Sequence, residues 1–146
     1  MPTAIPPVIG RYMAGLKSHD VDAIAETVAD DLAFITPTRT LSQDQFLKML
    51  RGLYRGFPDW HYENELPELR DDLIAVKWRQ GGTHTETFAL PGMAPVPATG
   101  KQVRIPDQYF FYVVQGGRIV EIRPEAIRGG APGGILEQIG VRLPAL

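Results

Sequence analysis

The chain has 146 residues, 44% hydrophobic and 22% charged, the proportions of one ordinary globular domain with a sizeable core. A formal net charge of −2 and an isoelectric point near 5.9 argue against nucleic acid as a partner, because phosphate binding needs a clustered basic surface. The absence of cysteine excludes disulfides, thiol nucleophiles and thiolate metal sites, and fits a cytoplasmic protein.

The opening residues lack a basic start and a long apolar run, so no signal peptide is expected. No stretch approaches the ~20 apolar residues of a membrane span. From Pro6, the residues Ile9, Tyr12, Met13 and Leu16 recur near every 3.6 positions and predict a first helix. Asp20 caps a second helix over Val21 to Val28. Leu32 to Thr36 reads as extended. Ser42 with Gln45 forms a capping box for a third helix over Gln43 to Tyr54, stopped by Gly56 and Pro58. Strands are predicted over Trp60 to Leu66, Leu73 to Gln80, Thr83 to Leu90, Val103 to Val114 and Arg118 to Ile127. Arg70-Asp71-Asp72 and Gln115-Gly116-Gly117 read as hairpin turns. Pro91 to Thr99, with three prolines, reads as a long loop, and a short helix over Ile135 to Ile139 closes the chain. Helices first and antiparallel strands afterwards define an α+β domain. Three helices on one face of a curved sheet would leave a cavity between them.

The stretch from Arg79 to Leu90 carries the strongest chemical signal. Gly81 and Gly82 interrupt a strand pattern, which marks a bulge or a close backbone approach. His84 follows, and histidine is the side chain best suited to proton transfer near neutral pH. If the glycines leave the register unchanged, Ile74, Val76, Trp78, Gln80, His84, Glu86 and Phe88 share a face. Glu86 could then orient the imidazole; the alternative is a single buried hydrogen-bonded pair. Other chemistries read poorly. His19, His61 and His84 lack metal-ligand spacing, so no metal site is expected. Ser18 and Ser42 sit at helix ends, with no nucleophile elbow. No dinucleotide-binding unit is present, so no cofactor is expected.

Several segments, in order, resemble a known family. They are Arg11-Tyr12 with Asp20-Val21-Asp22-Ala23-Ile24, Phe57-Pro58-Asp59 before a strand, and Ala75-Val76-Lys77-Trp78 leading into Gly82-Thr83-His84-Thr85. Thr99-Gly100-Lys101, Gly117-Arg118-Ile119-Val120-Glu121 and Ile135-Leu136-Glu137-Gln138-Ile139-Gly140 complete the string. Together they span residues 8 to 141 and resemble the SnoaL-like polyketide cyclases, or ester cyclases, of the nuclear transport factor 2-like superfamily. The resemblance implies one domain over residues 1–146. Its fold would be a cone of N-terminal helices on a curved, mostly antiparallel, cystatin-like sheet around a pocket. It also implies a cofactor-free aldol-type ring closure in which a histidine and an aspartate handle the protons. His84 matches the histidine. Arg123 stands where the family's tryptophan is expected and Ile127 where its aspartate is.

If Ile127 marks the pocket face, strand alternation places Glu121, Arg123 and Glu125 on it. Glu125 or Glu121 would then replace the aspartate as second proton site, and Arg123 would bind a carboxylate or steady an enolate oxygen. The alternative is a salt-bridged set that plugs the pocket or supports an interface. Asp107 reads as a pocket acid or a strand irregularity. Trp60, Trp78, Tyr12, Tyr54, Tyr109 and Phe111 are candidates for the pocket wall or for plain core packing. Three functions stay open: an enzyme on a small, largely apolar carbonyl compound or ester, a non-catalytic ligand binder, or a dimeric interaction domain. Apolar residues on both faces of Val103 to Val114 predict a homodimer.

Overall fold

A computed structural model describes residues 4–90 and 92–141. Helix α1 (Pro7–Ser18) begins with proline in its first turn and ends at His19, whose backbone is left-handed at φ 57°. Asp20 turns the chain at once into α2 (Val21–Thr27), its carboxylate accepting the Ala23 N–H at 3.0 Å. The chain then passes directly into β1 (Val28–Ile35) and a short β2 (Thr40–Leu41). The capping box forms as the sequence predicts and starts α3 (Gln43–Gly56). The strands β3 (His61–Asn64), β4 (Glu68–Arg70), β5 (Leu73–Thr83), β6 (Gln102–Gln115) and β7 (Arg118–Pro124) follow, and α4 (Gly133–Gln138) closes the described chain.

The sheet runs β2-β1-β7-β6-β5-β3, with β4 paired to β5. All pairings are antiparallel except β1 with β7, where Phe34 faces Ile122. Gly116 and Gly117 both take positive φ in the β6–β7 hairpin, as its tight two-residue turn requires. Helices α1 and α3 lay Ile9, Tyr12, Phe46 and Leu50 against Val76, Trp78 and Tyr112. A second cluster, built on Phe57, Trp60, Phe88 and Ile105, fills one end and is closed by Ile135 and Ile139. Burial of each large side chain is worth about 1.5–3 kcal/mol. The result is the α+β cone expected from the sequence.

Three local readings need correction. β5 does not break at the glycines; it continues through Gly81 and Gly82 to Thr83. The glycines instead permit close approach: a side chain at Gly82 would meet Trp60 at 2.9 Å and one at Gly81 the Val103 carbonyl at 2.8 Å. No strand forms over Thr83 to Leu90. The His84 backbone bonds to Lys101 and Gly100, the Glu86 N–H bonds to the Gly56 carbonyl, and Phe88 forms an isolated bridge with Val96 across the following loop. Pro91, at the start of that loop, lies outside the described residues. Lastly, β7 ends at Pro124, and a bulge at Val120 shifts its register against β6.

Candidate functional site

The cone encloses a small chamber of about 50 Å³, room for about three to five water-sized volumes. Tyr12 comes from α1, Tyr62 from β3, Trp78 and Gln80 from β5, and Phe110 and Tyr112 from β6. Strand alternation brings the last four to one face, because each pair is two residues apart. Among the described residues, no charged side chain lines this chamber. Its polar groups are hydroxyls, an indole and an amide. The Trp78 indole donates to the Tyr112 hydroxyl at 3.0 Å. The hydroxyls of Tyr54 and Tyr62 lie 2.7 Å apart. Gln80 accepts from the Trp60 indole at 3.2 Å. Desolvation by burial, then the neighbouring tyrosines, push Tyr12 and Tyr62 well above the usual phenol range. Desolvation raises Tyr54 and Tyr112 as well, against hydrogen bonds that partly offset it. The hydroxyls therefore stay protonated and able to donate.

Met49, Leu90, Ala131 and Pro132 line this chamber and also a wider groove of about 750 Å³ outside it. The groove walls are the β1–β2 turn, the segment from Pro124 to Gly134, and Met93 and Leu136. Its charged members are Arg39, Glu125, Arg128 and Glu137. Gln108, itself buried, fixes the far wall. Its amide donates to the Glu125 and Ala131 carbonyls at 2.9 and 3.2 Å and accepts the Ala131 N–H at 2.9 Å.

Of the residues expected to form a site, Tyr12 and Trp78 line the chamber, and Glu125 and Ile127 line the groove. One Glu125 oxygen accepts the Tyr109 N–H at 3.1 Å, which ties the end of β7 to β6. His84 lines neither compartment. It is fully buried beside Phe57, their ring centroids 5.2 Å apart, and its Nδ1 accepts the Thr99 N–H at 3.2 Å. The Thr99 hydroxyl lies 2.9 Å from the same nitrogen. With Nδ1 as acceptor the proton sits on Nε2, which is buried without a partner among the described residues. Glu86 is exposed, because the strand that would have aligned it with His84 ends at Thr83. Glu121 and Arg123 form an ion pair at 3.3 Å and line neither compartment. The bulge at Val120 turns Ile119, Ile122 and Pro124 inward in their place. Asp107 is exposed on a bidentate pair with Arg79 at 3.0 and 3.2 Å, which lowers its pKa. Trp60 is buried in the second cluster, off both compartments.

The sequence reading did not single out Tyr62, Tyr112, Gln108, Arg39 and Arg128 as site residues, and it aligned Gln80 with Trp78 without giving it a role. Alternation along β6 likewise sets Tyr112 on the face of Phe110. Nothing local marks the two arginines. Among the described residues, no group of three or more His, Cys, Asp or Glu is placed to hold a metal ion. No helix among them is long and apolar enough to cross a membrane.

A conical α+β sheet holding an aromatic chamber is the architecture of the nuclear transport factor 2-like proteins. The sequence model of the SnoaL-like polyketide cyclases matches residues 7–125, and the chain belongs to that family. Similar solved structures include AclR, a hydroxylase candidate from Streptomyces galilaeus. It is 20% identical with a TM-score of 0.70, over 96% of this chain and 82% of that one. A SnoaL-like polyketide cyclase candidate from Jannaschia sp. CCS1 is 17% identical at a TM-score of 0.70, over 98% and 99% of the two chains. IdmH, a polyketide cyclase candidate from Streptomyces antibioticus, is 22% identical at 0.66, over 92% and 97%. At these identities the likeness concerns the fold. No curated protein sequence matches the chain.

Proposed function

We propose that this protein binds a small, largely apolar carbonyl compound or ester and promotes cofactor-free proton transfer on it. The observation that carries this reading is the pairing of compartments. Pockets for drug-sized ligands measure about 300–1,000 Å³, so the body of such a ligand fits the groove of about 750 Å³ and not the chamber of about 50 Å³. What enters the chamber is a small polar end, a carbonyl oxygen. Protonated hydroxyls of Tyr12 and Tyr62 are suited to donate to it and to hold the negative charge of an enolate. Glu125 is the carboxylate we assign as proton acceptor. It is anchored by the Tyr109 N–H and stands on the groove wall.

The test is titration calorimetry with a small panel of tetralones, together with deuterium uptake at their α-carbon followed by NMR. Wild-type protein should bind. Tyr62→Phe should weaken binding about three- to tenfold, the worth of one hydrogen bond. Ala131→Leu, at the neck shared by the two compartments, should weaken it further. Glu125→Gln should keep affinity and lower exchange about 10²- to 10⁴-fold. Undiminished exchange in Glu125→Gln would remove the assigned base.

The outer sheet face supports self-association. Tyr109 and Phe111 stack there at 6.1 Å between ring centroids, with Arg70 4.4 Å over the Tyr109 ring. We assign this face to a homodimer. Light scattering should read a dimer at micromolar concentration and a monomer for Phe111→Glu; a monomeric wild type defeats the assignment.

A further inference from the structure

We propose that Arg39 and Arg128 form an anion subsite at the cavity mouth. The preferred ligand is then an apolar carbonyl compound bearing a carboxylate, rather than its neutral ester. This rests on the carbonyl-binding reading of the same cavity.

The argument begins with topology. β1 and β7 are the parallel pair of the sheet, with Phe34 opposite Ile122. Parallel neighbours leave the sheet at the same edge. The chain beyond Ile35 and the chain beyond Pro124 therefore emerge together, and each carries one arginine within a few residues. Both arginines are exposed and both line the groove. Neither makes an ion pair with a described residue; Arg11, Arg55 and Arg104 share that property, and what sets Arg39 and Arg128 apart is their place on the groove.

The two positions are also held in place. Thr36 donates its backbone N–H and its hydroxyl to the Arg39 carbonyl at 2.9 and 2.7 Å, and its hydroxyl oxygen accepts the Arg39 N–H at 3.1 Å. On the other side, Gln108 pins Glu125 and Ala131 around Arg128, and the Gly130 N–H bonds to the Ile127 carbonyl. These bonds hold the backbone; the two exposed guanidiniums that it carries to the groove can both donate to one planar oxyanion. The groove's carboxylates do not cancel them. Glu125 spends one oxygen on the Tyr109 N–H, and neither Glu125 nor Glu137 lies within ion-pair distance of either arginine. An apolar body between the arginines and the chamber completes the ligand: a carboxylate at the mouth, a ring system in the groove, a carbonyl at the tyrosines.

Calorimetry with a tetralone carboxylate and its methyl ester tests this, at low and at high salt. The wild type should bind the acid about three- to tenfold more tightly than the ester, the range expected for exposed charge pairs. Salt should shrink that preference. Arg39→Gln/Arg128→Gln should bind the ester as the wild type does and lose the preference for the acid. Arg123→Gln, whose arginine lines neither compartment, should keep it. Equal binding of acid and ester by the wild type, or a preference that survives the double substitution, overturns the subsite while the carbonyl reading stands. Failure of the wild type to bind either compound overturns both. Thermal melting of the double variant confirms that it is folded, as exposed substitutions predict.

Discussion

Gln108→Leu tests whether one buried amide holds the wall of the groove. The side chain is 1% exposed and makes three hydrogen bonds, all to the segment from Glu125 to Ala131. The fit is close: a side chain at Gly130 would meet the Gln108 amide nitrogen at 2.7 Å. Leucine keeps much of the volume but leaves the Ala131 carbonyl and N–H unpaired, while the Glu125 carbonyl keeps the Ile127 N–H at 3.0 Å. A buried orphan costs about 1–3 kcal/mol. Glu125 and Ala131 are only half-buried, so water recovers part of that, and the lower end applies to each group. The total is about 2 kcal/mol, or a fall in Tm of about 4–8 °C for a domain of this size. Urea denaturation measures the loss, and hydrogen exchange at the Ala131 amide locates it. Gln108→Glu separates donor from acceptor. It can still accept the Ala131 N–H but sets a carboxylate against two carbonyl oxygens, so its pKa rises in the folded state. Stability should then return as pH falls and the acid regains a proton to donate. The reasoning is refuted if Gln108→Leu unfolds within about 0.5 kcal/mol of wild type and the Ala131 amide exchanges no faster.

Two further predictions concern groups that the sequence put at the centre of the chemistry or left out of it. His84→Leu loses the Thr99 bonds but also removes the unpartnered Nε2–H, so the two effects should cancel to within about 1 kcal/mol. His84→Ala opens a cavity beside Phe57 and should cost about 2–4 kcal/mol in the same urea assay; equal losses for both variants would mean that Nε2 is satisfied in solution. The tyrosines of the chamber predict alkaline instability. Their folded pKa values lie above the unfolded value of 10.0, so the unfolded chain releases protons first and stability falls as pH rises beyond about 10. Absorbance of tyrosinate should therefore appear together with loss of circular dichroism; ionisation of all five tyrosines in a still-folded chain would contradict the assigned burial.

What could be read from the sequence followed the range of the forces involved. Capping at Asp20 and at Ser42 with Gln45 is local, and so is the Gly116-Gly117 turn; all three form as written. The Thr83 to Leu90 alternation looks like a strand because threonines alternate with larger residues. It meets the following loop only at His84 and Phe88, and the Glu86 N–H between them is taken by the end of α3, so no continuous ladder forms. The face of Glu121 and Arg123 depended on an unbroken two-residue period, and one extra residue at Val120 reverses it. Tyr12 and Trp78 were legible as wall candidates. Tyr62 and Tyr112 were not separable from ordinary core aromatics without the packing. Arg39 and Arg128 lie far apart in sequence, and only the parallel β1–β7 pairing sets them on one rim.

The separation of charge between the two compartments has a chemical consequence. A carboxylate inside the chamber would lose most of its hydration and would oppose any negative charge formed on a ligand oxygen there. Tyrosine hydroxyls carry no such cost: neutral, they can be buried, and they donate toward developing charge. The chamber has hydroxyls and no carboxylate, while Glu125 stands in the groove with a backbone N–H on one oxygen. A ligand that spans the neck at Ala131 and Pro132 would thus meet donors at one end and a proton acceptor nearer the other. Enolate formation needs both on adjacent atoms, so the proposed chemistry requires the carbonyl oxygen inside the chamber and the α-carbon at the neck, within reach of Glu125. On the proposed reading, specificity would rest on the groove, because a chamber of about 50 Å³ has room for a small polar end and little else.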